Sequence, residues 1–159
     1  MRALILLRHG QAVPAGPGPD FDRPLTAHGQ RQAWASALHL RALSEVRPIE
    51  LVTSPARRAH RTAIILNRVL TPDTRDLHRE SRIYDAALSD LLDVLADYLE
   101  LGAPLAIVGH NPGLTHLLRY LCPGRSAALA TGTAVTCRLA TGADPLVEGG
   151  SDILDRFDP

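Results

Sequence analysis

At 159 residues, 45% of them hydrophobic, the chain is long enough for one domain with a core of its own and short for two. Its 17 basic and 17 acidic residues cancel to a formal net charge of +0, which removes the electrostatic basis for binding nucleic acid or an acidic membrane surface. Two cysteines, Cys122 and Cys137, make neither a disulfide framework nor a zinc spacing, and no apolar run reaches transmembrane length, so a cytoplasmic location is expected.

Leu4-Ile5-Leu6-Leu7 is apolar without alternation, which predicts a strand buried on both faces and central in a parallel sheet. It runs straight into Arg8-His9-Gly10. In open α/β sheets ligands bind beyond the carboxyl ends of the strands, so this tripeptide falls at the edge where chemistry is done. A Pro- and Gly-rich loop from Gln11 to Pro24 follows at the same edge. Thr26 is the expected cap of a helix reaching Ala42, with Ala33, Trp34, Ala37, Leu38 and Leu40 as its inner stripe. Gly29 in its first turn implies close packing or a tolerated surface glycine.

Pro48 to Thr53 reads as the second strand. Ser54-Pro55 then predicts a cap and first position for a helix to Leu70 that buries Ala59, Ala63, Ile64, Leu66 and Val69. Arg57 and Arg58 fall in its first turn, where the helix dipole disfavours cations unless an anion sits there. A short edge strand is expected from Asp73 to Leu77, a polar loop from His78 to Asp85, and a helix capped by Ser89 with Leu91, Leu92, Leu95 and Leu99 facing inward. Leu105 to Val108 repeats the first theme, a buried strand entering Gly109-His110-Asn111-Pro112-Gly113. Asn111-Pro112 would open a helix carrying Leu114, Leu117, Leu118 and Leu121. Thr131 to Leu139 alternates as a last, edge strand. From Ala140 onward the chain is rich in Gly, Asp and Pro and reads as a loosely ordered tail, residues 140–159, behind a single domain of residues 1–139. The fold class expected is a three-layer α/β/α sandwich with a mainly parallel central sheet and one antiparallel edge strand.

Three strand-to-helix junctions thus deliver Arg8-His9, Arg57-Arg58 and His110-Asn111 to one edge. Guanidinium groups give bidentate recognition of a phosphoryl group. An imidazole beside them can attack phosphorus and carry the group covalently, splitting one displacement into two. A second imidazole can neutralise the equatorial oxygens. The cations come from the protein, so no cofactor or metal is called for. A zinc site on His9 and His110 lacks a third ligand and would face repelling arginines. All 17 basic residues are Arg, a compositional habit that weakens any one Arg as a signal. His28, His39, His60 and His116 read as ordinary helix residues.

The ordered motifs Leu-Leu-Arg-His-Gly, Arg-Pro-Leu-Thr-x-x-Gly, Thr-Ser-Pro-x-x-Arg-Ala-x-x-Thr-Ala and Val-Gly-His-Asn-Pro-Gly resemble those of the histidine phosphatase (phosphoglycerate mutase-like) superfamily. With the short length and Arg23-Pro24-Leu25-Thr26, the chain is most similar to SixA-type phosphohistidine phosphatases. The resemblance implies His9 as nucleophile, Arg8 and Arg58 as phosphate clamps with Arg57 a solvated neighbour, and His110 as the second histidine of the phosphate pocket. Arg23, Gln11 and Asn111 are further candidates for binding the phosphate or the substrate.

Larger members carry a carboxylate general acid between the second-helix Arg and the second His. Here Glu80 and Asp85 are the candidates, and neither lies in a defined motif. An alkoxide needs a proton to leave, whereas the imidazole of phosphohistidine protonates near neutrality, so a poorly marked acid favours a phosphoramidate substrate. The segment from Arg58 to His110 leaves no insertion for a lid, as a protein-borne substrate requires. The expected partner is a phosphohistidine-bearing protein or a small phosphorylated substrate. The alternatives are a small-molecule phosphomonoesterase and a phosphate- or phosphoprotein-binding module without turnover. The sequence leaves the oligomeric state open.

Overall fold

The computed structural model describes residues 2–43, 49–71, 77–124 and 127–159. The apolar N-terminal run forms β1 (Ala3–Arg8), flanked on both sides within a six-stranded sheet. The other strands are β2 (Glu50–Thr53), β3 (His78–Arg79), β4 (Leu105–Gly109), β5 (Ala134–Arg138) and β6 (Asp152–Phe157), in the order β3-β2-β4-β1-β5-β6. The first four in that order run parallel, whereas β5 is antiparallel to β1 and β6 to β5.

Side chains of a strand alternate between faces, and β1 feeds two cores in this way. Ala3, Ile5 and Leu7 pack with Ala37, Leu40, Ala59, Ala63 and Leu66 from α1 (Ala27–Ala42) and α2 (Arg57–Leu70). Leu4 and Leu6 pack with Leu91, Leu95, Leu114 and Leu118 from α3 (Leu88–Leu99) and α4 (Gly113–Leu121). Two helical layers therefore enclose the sheet, the expected α/β/α sandwich. The register sets Arg8 opposite Gly109 and Thr53 opposite Val108, so the strand ends carrying His9, Ser54 and His110 lie level with one another.

Several local expectations are corrected. In α1 the buried face is Gly29, Gln32, Ala33, Ser36, Ala37 and Leu40, while Trp34 is 41% and Leu38 53% exposed. Small residues win that face because α1 packs closely on α2. In α2, Ile65 is buried and Ile64 only partly so; the helix starts at Arg57, with Ser54 Oγ accepting from the Ala56 N–H at 3.2 Å. Ser89 lies inside α3, whose start is held by Asp90 Oδ2 accepting from the Ala87 N–H at 2.8 Å, and Leu92 on that helix is only partly buried. The Asn111–Pro112 peptide is cis, and α4 begins after it.

The strand expected over Asp73 to Leu77 falls mainly outside the described residues, and the edge strand seen is β3. The polar loop after it contains a 3-10 turn, Ser81–Ile83, that buries Ile83. The strand near the C-terminus, β5, is interior because Asp152–Phe157 pairs along it as β6. A loosely ordered tail is thus the wrong description of this part of residues 140–159. The Asp-Ile-Leu-Asp-Arg-Phe sequence is half-buried at a sheet edge, where charged residues are ordinary.

Candidate active site

Three parallel strands end at one edge and are tied together just beyond it. His9 N–H donates to Gly109 O at 3.1 Å, and Ser54 N–H to Val108 O at 3.0 Å. The turn after His9 is fixed by an unusually close meeting of two glycines. A Cβ on Gly10 would lie 2.2 Å from Gly29 O, and one on Gly29 would lie 2.0 Å from Gln11 O. Close packing is therefore the reason for Gly29 in the first turn of α1. Gly10 N–H donates to Thr62 Oγ1 at 3.1 Å, and that hydroxyl donates to Arg58 O at 2.8 Å, joining the turn to α2.

His9 is 7% exposed. Its Nδ1 lies 2.7 Å from Gly10 O, and a carbonyl can only accept, so Nδ1 carries the proton and Nε2 the lone pair. Burial pushes its pKa down to about 4, helped by the charges of Arg58, Arg8 and Arg23 and opposed by the Gly10 carbonyl. His9 is neutral at neutral pH, with Nε2 accepting from Arg58 Nε–H at 3.2 Å. His110 sits with its ring centroid 5.0 Å from that of His9. Its Nε2 shares a 2.8 Å hydrogen bond with Ser54 Oγ, and burial and then His9 push its pKa down to about 3.

Arg58 is 5% exposed and gives a donor from every guanidinium nitrogen: Nε to His9, Nη1 to Asp20 O at 2.7 Å and Nη2 to Asp20 Oδ2 at 3.0 Å. Arg8 Nη1 donates to Leu129 O at 3.0 Å, and burial, then Arg58, lowers its pKa without discharging it. Among the described residues, Arg8 Nε and His110 Nδ1 are both buried with no hydrogen-bond partner. The Arg8 Nε–H is an orphaned donor, and His110 Nδ1 is a second one when the Ser54 hydroxyl donates to Nε2; an oxyanion would satisfy both.

Asp20 and Tyr84, which the sequence did not mark, complete the cluster. Asp20 and Phe21 lie on a 3-10 turn, Asp20–Asp22, within the Pro- and Gly-rich loop. The Asp20 carboxylate accepts from Tyr84 Oη–H at 2.8 Å and Arg23 Nε–H at 2.8 Å as well as from Arg58, and the first two bonds hold it well below the usual carboxylate range. Tyr84 meets His110 edge-on at 5.6 Å and Phe21 at 5.2 Å. Only the loop's position at the sheet edge hinted at these contacts.

The remaining candidates fall as follows. Arg23 reaches the cluster through Asp20, and Arg57 is exposed. Gln11 spends its side-chain oxygen on Thr26 Oγ1–H at 2.9 Å. Asn111 donates to Leu129 O at 2.7 Å and accepts from Thr115 at 2.8 Å, so it braces the loop that also receives Arg8. Glu80 is bound by Arg82 through side chain at 2.8 Å and backbone at 3.0 Å, and the guanidinium keeps it below its ordinary pKa. Asp85 is exposed at φ 54°, and no hydrogen bond joins it to the cluster.

Among the described residues no group of three or more His, Cys, Asp or Glu side chains is placed to hold a metal ion, and no helix is long and apolar enough to cross a membrane. Residues 4–90 match the family model of the histidine phosphatase superfamily (branch 1). No curated protein matches the sequence. Among solved structures, a protein provisionally assigned as the phosphohistidine phosphatase SixA of Agrobacterium tumefaciens superposes with a TM-score of 0.83 at 22% identity, over 99% of this chain and 98% of that one. A likewise provisionally assigned SixA of Nakamurella multipartitia gives 0.81 at 25%, over 99% and 96%. A mycobacterial glucosyl-3-phosphoglycerate phosphatase gives 0.73 at 16%, over 96% and 97%. The likeness extends over nearly the whole of each chain and concerns the fold.

Proposed function

This chain belongs to the histidine phosphatase superfamily, and we propose that within it the chain hydrolyses phosphohistidine carried on a protein, through a phosphoryl group held on His9. His9 Nε2 gives its lone pair to phosphorus while the bond to the substrate's imidazole nitrogen breaks. That imidazole leaves with a proton taken from solvent. Water then attacks the phosphoryl group, the bond to Nε2 breaks, and phosphate leaves with the water's oxygen. Arg8 and Arg58 bind the non-bridging oxygens, and a neutral His110 still has one N–H to offer them.

The observation that carries the choice of substrate is the state of the carboxylates. Asp20 is held ionised by Tyr84 and Arg23, and Glu80 by Arg82. Neither is a ready proton donor, and an ester oxygen leaves poorly without one. An imidazole leaving group, with a pKa of about 6.5, takes a proton from solvent near neutral pH without a carboxylate's help. The phosphomonoesterase reading would need a donor that these two groups do not supply.

Acid-labile phosphate should be trapped on the protein during turnover and be lost in His9→Ala, while the fold survives. Rates on a phosphohistidine-bearing protein should exceed those on glycerate or sugar phosphates. Trapping that persists in His9→Ala would overturn the nucleophile, and faster turnover of the esters would overturn the substrate class.

A further inference from the structure

Beside the catalytic cluster, at the mouth between α1 and α2, lies a cavity of about 260 Å³ whose lining includes Pro24, Leu25, Arg57, His60, Arg61 and Ile64. Pockets for small ligands run to about 300–1,000 Å³, so this one is sized for a side chain or two. Its polar lining is Arg57, His60, Arg61 and the neutral Gln30, with no carboxylate among them. Arg57 and Arg61 stand one helical turn apart on α2, a spacing at which like charges repel and cost helix stability. Both are exposed, and among the described residues neither forms an ion pair. Among the described residues, His60 Nδ1 is buried without a hydrogen-bond partner, and the charge of Arg79 acts on the same imidazole. The N-terminus of α2 adds its own positive field.

The cavity's lining neighbours the site along the chain. Arg57 adjoins Arg58, and Pro24 adjoins Arg23, whose guanidinium holds Asp20. We propose that this basic cleft is a docking subsite for an acidic side chain of the phosphohistidine-bearing protein, with Arg57 and Arg61 pairing its carboxylate and Leu25, Pro24 and Ile64 taking its aliphatic stem. The proposal rests on the substrate reading above. It gives Arg57 a purpose that chemistry on a small phosphate does not reveal.

The test uses two phosphohistidine peptides of equal length, one flanked by Glu and the other by Gln. Exposed ion pairs are individually weak, so two of them predict about a five- to tenfold preference in kcat/KM for the Glu peptide at low salt. The preference should fade as salt is added and approach one in Arg57→Gln/Arg61→Gln. Equal rates on the two peptides, or a preference that the double variant keeps, would overturn the proposal. If neither peptide is turned over, the substrate reading fails by itself. Fluorescence anisotropy of the unphosphorylated Glu and Gln peptides then decides the cleft: tighter binding of the Glu peptide, lost in the double variant, upholds it, and equal binding overturns it.

Discussion

Arg58 spends its three nitrogens on His9 and Asp20, so its guanidinium plane is set before a phosphoryl group arrives. Losing one such preorganised donor typically costs about 10²–10³ in rate. Arg58→Ala should lose activity on an aryl phosphate on that scale, while Arg57→Ala stays within about threefold on the same substrate; steady-state kinetics on the two variants decides it. Asp20→Asn separates charge from shape, because the amide can still accept a hydrogen bond. One negative charge at ~4 Å is worth about 1 kcal/mol in water. Inorganic phosphate should therefore inhibit Asp20→Asn about fivefold more tightly, while the Asp20 main-chain carbonyl still holds Arg58 in place. An unchanged inhibition constant would mean that Asp20 does not share the phosphate's field. Arg8, His9, Arg58 and His110 were legible because each sits where a strand or helix begins or ends. Asp20 and Tyr84 were not, because Asp20 arrives on the coil of a Pro- and Gly-rich loop and Tyr84 on the polar loop after β3, and no local period encodes either.

At the scale of elements, the turn after β1 and the first turn of α1 touch backbone to backbone through Gly10 and Gly29. Helix propensity alone would have Gly29→Ala stabilise the protein by about 1 kcal/mol. The added Cβ would stand 2.0 Å from Gln11 O, and main chain cannot yield as a flexible side chain does. The contact wins: thermal unfolding of Gly29→Ala should show a loss of stability, and kcat should drop because the turn holding His9 must shift. A more stable, fully active variant would refute that ranking. The same contact explains why the inner face of α1 was misread. Sequence hydrophobicity pointed to Trp34 and Leu38, but the helix approaches its neighbours through glycine, alanine and serine.

For the whole molecule, the two antiparallel strands do more than close the sheet. Arg156 on β6 donates to Ala127 O at 3.1 Å and Ala128 O at 3.0 Å, while Asp158 accepts from Thr133 Oγ1–H at 2.6 Å. The segment so held supplies Leu129 O to Arg8 and Asn111. Arg156→Ala should thus leave the fold intact and reduce kcat/KM by loosening Arg8, by about tenfold if it acts like the outer-shell supports of metal ligands. Circular dichroism and kinetics on one preparation test both halves.

Global stability should also follow pH in a defined direction. His9 and His110 stay neutral when folded, with pKa values lowered to about 4 and about 3. In the unfolded chain each titrates near pH ~6.5, so below that pH the unfolded state binds more protons. Stability is complete above about pH 7.5 and declines as the pH falls through the unfolded pKa toward the folded values, by about 2 kcal/mol per histidine between about pH 7.5 and about pH 5. Denaturant titrations should show this slope in the parent and a shallower one in His110→Asn. An identical slope in the variant would place the proton uptake elsewhere.

The tautomer of His9 is set by a main-chain carbonyl, that of Gly10, and by no side chain. No point substitution can therefore remove the lock while leaving the backbone in place. It also decides regiochemistry: a phosphoryl group accepted in this orientation bonds to the ring nitrogen remote from the backbone, giving the τ isomer of phosphohistidine and never the π isomer. Phosphorus NMR of the trapped protein, or an antibody selective for one isomer, would read this directly. Detection of the π isomer would mean that the ring turns over during catalysis and that the Gly10 bond is broken in each cycle.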